Sequence, residues 1–259
     1  MLQIRSLVLA GLLGLLGFLG LALAGCHAAT AASPAPAATS SAHAAAATAS
    51  PSLSIPGTHE STTVYQISSP VSTVVVISHA GNVTVTGGSG SATSVTQQVA
   101  YSKAPPVTTR VVSDRTLTIT YSCPVELVCG VAYVVQVPRD VTLQANAGAG
   151  AIRLSGLTGD VTAKADVGFI SATGLSGASV SLTTGVGGIT AAFTSSPTVV
   201  QALTRVGAIT LRVPGGASYH VSAHVHLGKA TVSVPQSSSS GHAITATTDV
   251  GSVLIGPSA

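Results

Sequence analysis

Charge is scarce in this chain of 259 residues. Ten Lys and Arg stand against seven Asp and Glu, a formal net charge of +3. No basic stripe forms, and no aromatics interleave with arginines, so nucleic acid is not an expected partner. Aromatics are also rare: tryptophan is absent, with five tyrosines and three phenylalanines. A row of rings for stacking on sugars is therefore not expected. No Gly-x-Ser-x-Gly elbow occurs, and no glycine-rich loop opens a helix to cradle phosphate. These absences argue against an enzyme, and no catalytic residue and no cofactor is expected. Cysteine occurs only at Cys26, Cys123 and Cys129.

The N-terminus carries one early positive charge, Arg5, and then an uncharged run from Leu7 to Ala24. A basic start, an apolar stretch and small residues before a cut describe a secretory signal. The run is also long enough to weigh as a membrane span. Leu23-Ala24-Gly25-Cys26 resembles the lipobox of bacterial lipoproteins, in which cleavage precedes the Cys and a diacylglycerol joins its sulfur. That resemblance implies a signal peptide over residues 1–25 and lipidation at Cys26. The other readings are an uncleaved N-terminal helix and a plain secreted protein. Acyl chains contribute about 0.8 kcal/mol per buried CH₂, and stable anchoring takes more than one chain. Residues 26–57 are Ala, Ser, Thr and Pro with almost no charge. They read as a flexible tether spanning about 30 Å, which O-glycosylation could decorate.

Cys123 and Cys129 remain as a pair. Export places them in an oxidising compartment, which favours a disulfide. A redox pair would ordinarily hold two residues between the thiols, and no Cys or His cluster lies near in sequence to complete a zinc site.

The C-terminal half repeats. A small or aliphatic residue precedes a glycine at Gly150, Gly168, Gly187, Gly207, Gly228 and Gly251, spaced 18, 19, 20, 21 and 23 residues apart. Seven residues before each lies Leu143, Val161, Val180, Val200, Val221 or Ile244, and five before lies Ala145, Ala163, Leu182, Ala202, Ala223 or Ala246. Polar residues lie between, the period of two of a strand with one buried face. A second alternating strand follows each glycine, which marks a bend. No unit buries its apolar face alone, so the units must stack. The expected fold is all-β: a parallel β-solenoid of about six to seven rungs, two short strands per rung of about 20 residues. An antiparallel sandwich is the alternative. One earlier unit surrounds Gly81. The solenoid is expected over 58–259, with 88–139 as a disulfide-bearing insertion that caps its N-terminal end.

The glycine-bounded units, the Cys123–Cys129 segment running into Tyr133-Val134-Val135-Gln136-Val137-Pro138, and the closing Thr248-Asp249-Val250-Gly251-Ser252-Val253 resemble the bacterial putative-adhesin family of β-strand-repeat envelope proteins. The resemblance covers about residues 60–255. It implies a β-solenoid on the cell surface and carries no catalytic residues.

Parallel β-helix enzymes that cut polysaccharides need paired carboxylates. Here the acids are Glu60, Asp114, Glu126, Asp140, Asp160, Asp166 and Asp249. Asp160 and Asp166 lie about 20 Å apart along one strand, and stacking in chain order puts Asp166 and Asp249 four rungs apart, again about 20 Å. Asp140 and Asp160 read as turn residues. One polar constellation stands out: His220, His224 and His226 share an outward face. Chain-order stacking sets His226 between Arg205 and Asp249. His224, His226 and Asp249 are thus the candidate zinc or copper ligands, against a plain solvated face. The expected role is a non-enzymatic lipoprotein at the cell membrane, held on its extracytoplasmic face, whose solenoid binds an envelope polymer or protein. An envelope-stress sensing or regulatory module is the alternative, and a polysaccharide-active β-helix enzyme the third reading.

Overall fold

The computed structural model describes residues 59–124 and 128–258. The expected signal peptide, Cys26 and the expected tether lie outside the described residues. In chain order the strands are β1 (His59–Ile67), β2 (Thr73–Ala80), β3 (Val83–Gly88), β4 (Thr93–Tyr101), β5 (Val107–Ser113), β6 (Thr116–Ser122), β7 (Cys129–Pro138), β8 (Thr142–Ala149) and β9 (Ile152–Ser155). They continue with β10 (Val161–Val167), β11 (Ile170–Leu175), β12 (Ser179–Val186), β13 (Ile189–Phe193), β14 (Val199–Val206), β15 (Ile209–Val213), β16 (His220–Val232) and β17 (Ala243–Pro257). The chain is a β-solenoid: its rungs pair in parallel, which disposes of the sandwich. Antiparallel pairing is confined to β1–β4, β4–β7 and β5–β6.

In space the rungs run β6–β7, β2–β3, β8–β9, β10–β11, β12–β13, β14–β15, β17, β16, eight in all. The expectation of six to seven rungs in chain order needs correction at both ends. At the start, β6 and β7 form a full rung outside β2 and β3. Leu117 and Ile119 stack on Val74 and Val76, and Tyr133 and Val135 on Val83 and Val85. The segment expected to be a cap is therefore half rung and half cap. At the finish, β17 slides between β14–β15 and β16. The residues from Pro214 to Tyr219 carry the chain past the empty slot. Tyr219 is fully buried there; its hydroxyl donates to the Pro214 carbonyl at 2.8 Å and lies 3.1 Å from Ser196 Oγ.

The true cap is β5 over β6, and β4 and then β1 over β7. Arg110 on β5 fastens the two flaps. Its guanidinium lies 3.4 Å from the centre of the Tyr65 ring on β1 and donates to Gln97 Oε1 on β4 at 3.0 Å.

Parallel stacking in register turns each repeat position into a column. One interior column reads Leu117, Val74, Leu143, Val161, Val180, Val200 and Ile244, each at most 2% exposed. Beside it runs a column dominated by Ala, so the core is thin. From the β2–β3 rung to β16 each bend turns on a glycine with positive φ, between 134° and 152° from Gly81 to Gly251. A Cβ on Gly187 would also run into the Gly168 carbonyl oxygen of the neighbouring rung. That bend aims a carbonyl inward, and buried hydroxyls answer it. Thr184 donates to Gly168 at 2.9 Å, Thr204 to Gly187 at 3.0 Å and Thr248 to Gly207 at 3.1 Å. These three threonines are therefore satisfied although they face the core.

The β6–β7 rung has no bend glycine. A longer loop turns this corner, and a disulfide between Cys123 and Cys129 closes it, with Cα atoms 5.9 Å apart. The oxidised pair was legible from the sequence; its place at a rung corner was not.

Two stability measurements follow. Gly187→Ala should cost about 2 kcal/mol or more in denaturant unfolding, since both φ and space oppose a side chain. Gly216→Ala should be close to neutral, because open space surrounds Gly216. Replacing Cys123 and Cys129 together by Ala should cost about 2 kcal/mol, the chain-entropy value for so short a loop.

Candidate binding surface

The outward side of the bend combines two columns. In β10, β12, β14, β17 and β16 the residue just before the bend glycine is Val167, Val186, Val206, Val250 and Leu227, in spatial order. Their exposures are 56%, 48%, 47%, 43% and 65%. An aliphatic row thus runs for about 19 Å along the stack, at about 4.8 Å per step. Phe169 stands beside its first member, 43% exposed, with the Arg153 guanidinium 4.7 Å from its ring centre. The fold has no use for these side chains, which point away from the core. Aligned exposed apolar groups mark a contact surface far better than scattered ones do.

The flanking column, one residue earlier, reads Asp166, Gly185, Arg205, Asp249 and His226. Here the chain-order reading of the histidine face is overturned. Because β17 lies inside β16, Asp249 sits between Arg205 and His226, and His226 is on the terminal rung. Arg205 leans over Gly185, where no side chain obstructs it. Asp166 pairs with exposed Lys164 at 3.4 Å, a contact of little energetic weight. Beyond this pair, a cleft of about 240 Å³ opens among Ile77, His79, Asn146, Lys164 and Asp166.

The metal candidates are not drawn together. His224 Nε2 lies 2.8 Å from Ser222 Oγ on its own strand. Among the described residues no three of His, Cys, Asp and Glu converge as a metal would require. His220 is exposed on the same strand.

The acids among the described residues are equally dispersed; Glu126 lies outside those residues. Asp166 and Asp249 are three rungs apart, about 14 Å, and not four, again because β17 is internal. Asp160 accepts the Ser179 N–H of the next rung at 3.0 Å, a structural task at a rung opening. Asp114 sits in the β5–β6 turn with φ of 49°. On the opposite rim, a groove of about 840 Å³ is lined by Phe193, Thr194, Arg212, Pro214 and Pro257. Among the described residues it is lined by no carboxylate or imidazole. Three buried hydroxyls, those of Thr84, Thr93 and Tyr133, have no hydrogen-bond partner among the described residues, and burial pushes the ionisation of Tyr133 well up. Tyr133 is fully buried, away from both surfaces.

Sequence reasoning noticed the aliphatic residue before each glycine but treated it as part of the repeat signature. The signal that could have marked it as surface is parity. Two residues in a row between the last interior threonine and the glycine must both turn outward.

No family model matches this chain. No curated protein matches it either. Solved structures do. A putative cell adhesion protein from Clostridium sporogenes is similar over 77% of this chain and 100% of its own, with 11% identity and a TM-score of 0.42. A putative adhesin from Bacteroides fragilis is similar over 77% of this chain and 97% of its own, with 13% identity and a TM-score of 0.42.

If the histidine face is only a solvated surface, zinc at about 100 µM should leave the melting temperature unchanged, since a site formed only in the folded chain would raise it. A rise abolished by His224→Gln together with Asp249→Asn would restore the metal reading.

Proposed function

We propose that this chain is a non-enzymatic lipoprotein of the cell envelope, anchored through Cys26 on the extracytoplasmic face of the membrane. Its solenoid presents an adhesin-like contact surface. The observation that carries the binding role is the exposed row Val167, Val186, Val206, Val250 and Leu227. Burying such a row against a partner contributes about 25 cal/mol per Å² of apolar area. The neighbouring column of Asp166, Arg205, Asp249 and His226 supplies orientation by charge and hydrogen bonding. Its 4.8 Å repeat suits an extended, regular partner: an envelope polymer or a protein strand. The tether of residues 26–57 would let this surface reach past the membrane.

Support for the anchor is the lipobox-like Leu23-Ala24-Gly25-Cys26 alone. Support for the non-enzymatic role is the dispersal of the carboxylates and the two clefts without paired acids. The neighbouring structures described as adhesins agree in name, and their similarity is too slight to add weight.

Two experiments test the parts separately. Mass spectrometry of the protein from membranes should show Cys26 as the N-terminal residue carrying a diacylglyceryl group; an intact N-terminus or a bare thiol would remove the anchor. For the surface, immobilised protein should retain purified cell-wall polymer or a membrane protein from solubilised envelopes. Val206→Ser with Val250→Ser should reduce that capture by about tenfold or more while leaving the melting temperature within a few degrees. Capture that is indifferent to these changes would move the contact elsewhere.

A further inference from the structure

One rung is cut back on its outward face. On β8 two successive outward positions are Asn146 and Gly148, and the rungs on either side carry longer side chains there. Register sets Asn146 between Ile77 of β2 and Lys164 of β10, and Gly148 between His79 and Asp166. The two wall strands are two rungs apart, about 9.6 Å. The cleft of about 240 Å³ lies between them, with β8 as its floor. Drug-sized ligands take roughly 300–1,000 Å³; this smaller space suits a single sugar ring. A Cβ on Gly148 would run into the His79 carbonyl oxygen, so the notch stays open. At Gly185, in the same column, Arg205 fills the equivalent space.

The side chains around the notch are placed, and one of them is unspent. The His79 ring packs edge-on against Tyr121, with ring centres 5.4 Å apart at 82°. Lys164 is drawn to Asp166 at 3.4 Å. Asn146 is half-buried on the floor, and among the described residues its carboxamide has no hydrogen-bond partner. Asn82, by contrast, accepts the Ala151 N–H at 2.9 Å. A carboxamide sets donors beside an acceptor, which neighbouring substituents on a sugar ring match. The Lys164–Asp166 pair also offers donor and acceptor together, without net charge. An anion would face the Asp166 carboxylate, and a cation the Lys164 ammonium. A hydroxyl both donates and accepts, so it meets the two at once. Ile77, beside Asn146, is the apolar member of the lining. An acetyl methyl covers it, and a plain hydroxyl does not.

We propose that this cleft binds one N-acetylhexosamine unit of a polysaccharide. The acetamido N–H donates to Asn146 Oδ1, and the adjacent ring hydroxyl accepts from Nδ2. The acetyl methyl lies against Ile77, and hydroxyls on the far edge of the ring bridge Lys164 and Asp166. The notch over Gly148 gives the ring its room. The aliphatic row starts next to it, at Val167, one residue past Asp166. The cleft thus names a partner class for the surface proposed above, and it rests on that reading for the source of the sugar, an envelope polymer.

The test is two-dimensional NMR of the full chain in mild detergent, titrated with the methyl β-glycosides of N-acetylglucosamine and N-acetylgalactosamine. Methyl β-glucoside is the counterpart without an acetamide. With at least one acetamido sugar, the Asn146 side-chain amide and the Ile77 methyl signals should move together, with a dissociation constant of about 10 mM or below. Methyl β-glucoside should bind at least about tenfold more weakly. Asn146→Leu should weaken binding at least about tenfold and leave the melting temperature within a few degrees. Thr190→Ala, on the other arm, should change nothing. Should Asn146→Leu fold poorly, Asp166→Asn at an exposed position gives a second readout, a severalfold loss of affinity. Signals that stay still up to about 50 mM of both acetamido sugars, equal binding of the glucoside, or binding indifferent to these substitutions would overturn the proposal. Polymer captured through Val206 and Val250 with no sugar in the cleft would sink this proposal and leave the row standing. Sugar bound in the cleft with no capture of polymer would leave the cleft standing and sink the envelope reading.

Discussion

Everything in this fold depends on stacking rungs in register, strand on strand, at one backbone spacing. A parallel ladder brings each residue over its equivalent in the next rung. Any residue type that works once must therefore work as a column. Branched aliphatics can line the core because they stack on their own kind. A bend must be made where neighbouring bends are already present, within one strand spacing. Only a residue without Cβ fits beneath the carbonyl above it, and only glycine takes the positive φ without strain. The interior threonines follow from the same constraint, since the bend aims carbonyls inward and the fold must satisfy them.

Stacking also creates its own difficulty, the open end. The two ends meet it in related ways. At each, the outermost rung is not the terminal one in sequence. The β2–β3 rung lies inside β6–β7, and β17 lies inside β16. The last segment of sequence is thus held by neighbours on both sides. At the N-terminal end, antiparallel strands and the Arg110 clasp then close the sheet. At the other end the interior columns stop at half-buried Val221, Ala223 and Val225, and residues 235–237 cover only the start of the edge, by bonding to the outward side of Tyr219.

Much of this was readable in advance, for a physical reason. Period-two alternation with a fixed glycine offset is a direct consequence of stacking, so Leu143, Val161, Val180 and Val200 announced the interior, and Gly81 announced an early rung. The order of the rungs was not announced. Parallel pairing is set by column composition, and Val221 fits against Val200 as well as Ile244 does. The clue was spacing: Gly207 to Gly228 and Gly228 to Gly251 are the two longest intervals, 21 and 23 residues. The surplus carries the chain over one slot and back. Missing it put His226 in place of Asp249 in the charged column. The surface row was hidden for another reason. An exposed Val in a strand looks like β-propensity until four of them and Leu227 are seen to align.

The most direct check on this architecture is the contact between interior methyl groups, read by nuclear Overhauser effects in solution. Ala202, Ala246 and Ala223 occupy one column in that order. Cross-peaks should join Ala202 to Ala246 and Ala246 to Ala223, across about 5 Å, and be absent between Ala202 and Ala223 at about 10 Å. A strong Ala202–Ala223 contact, with none between Ala202 and Ala246, would mean that these rungs stack in chain order and that the account of the β16 end is wrong.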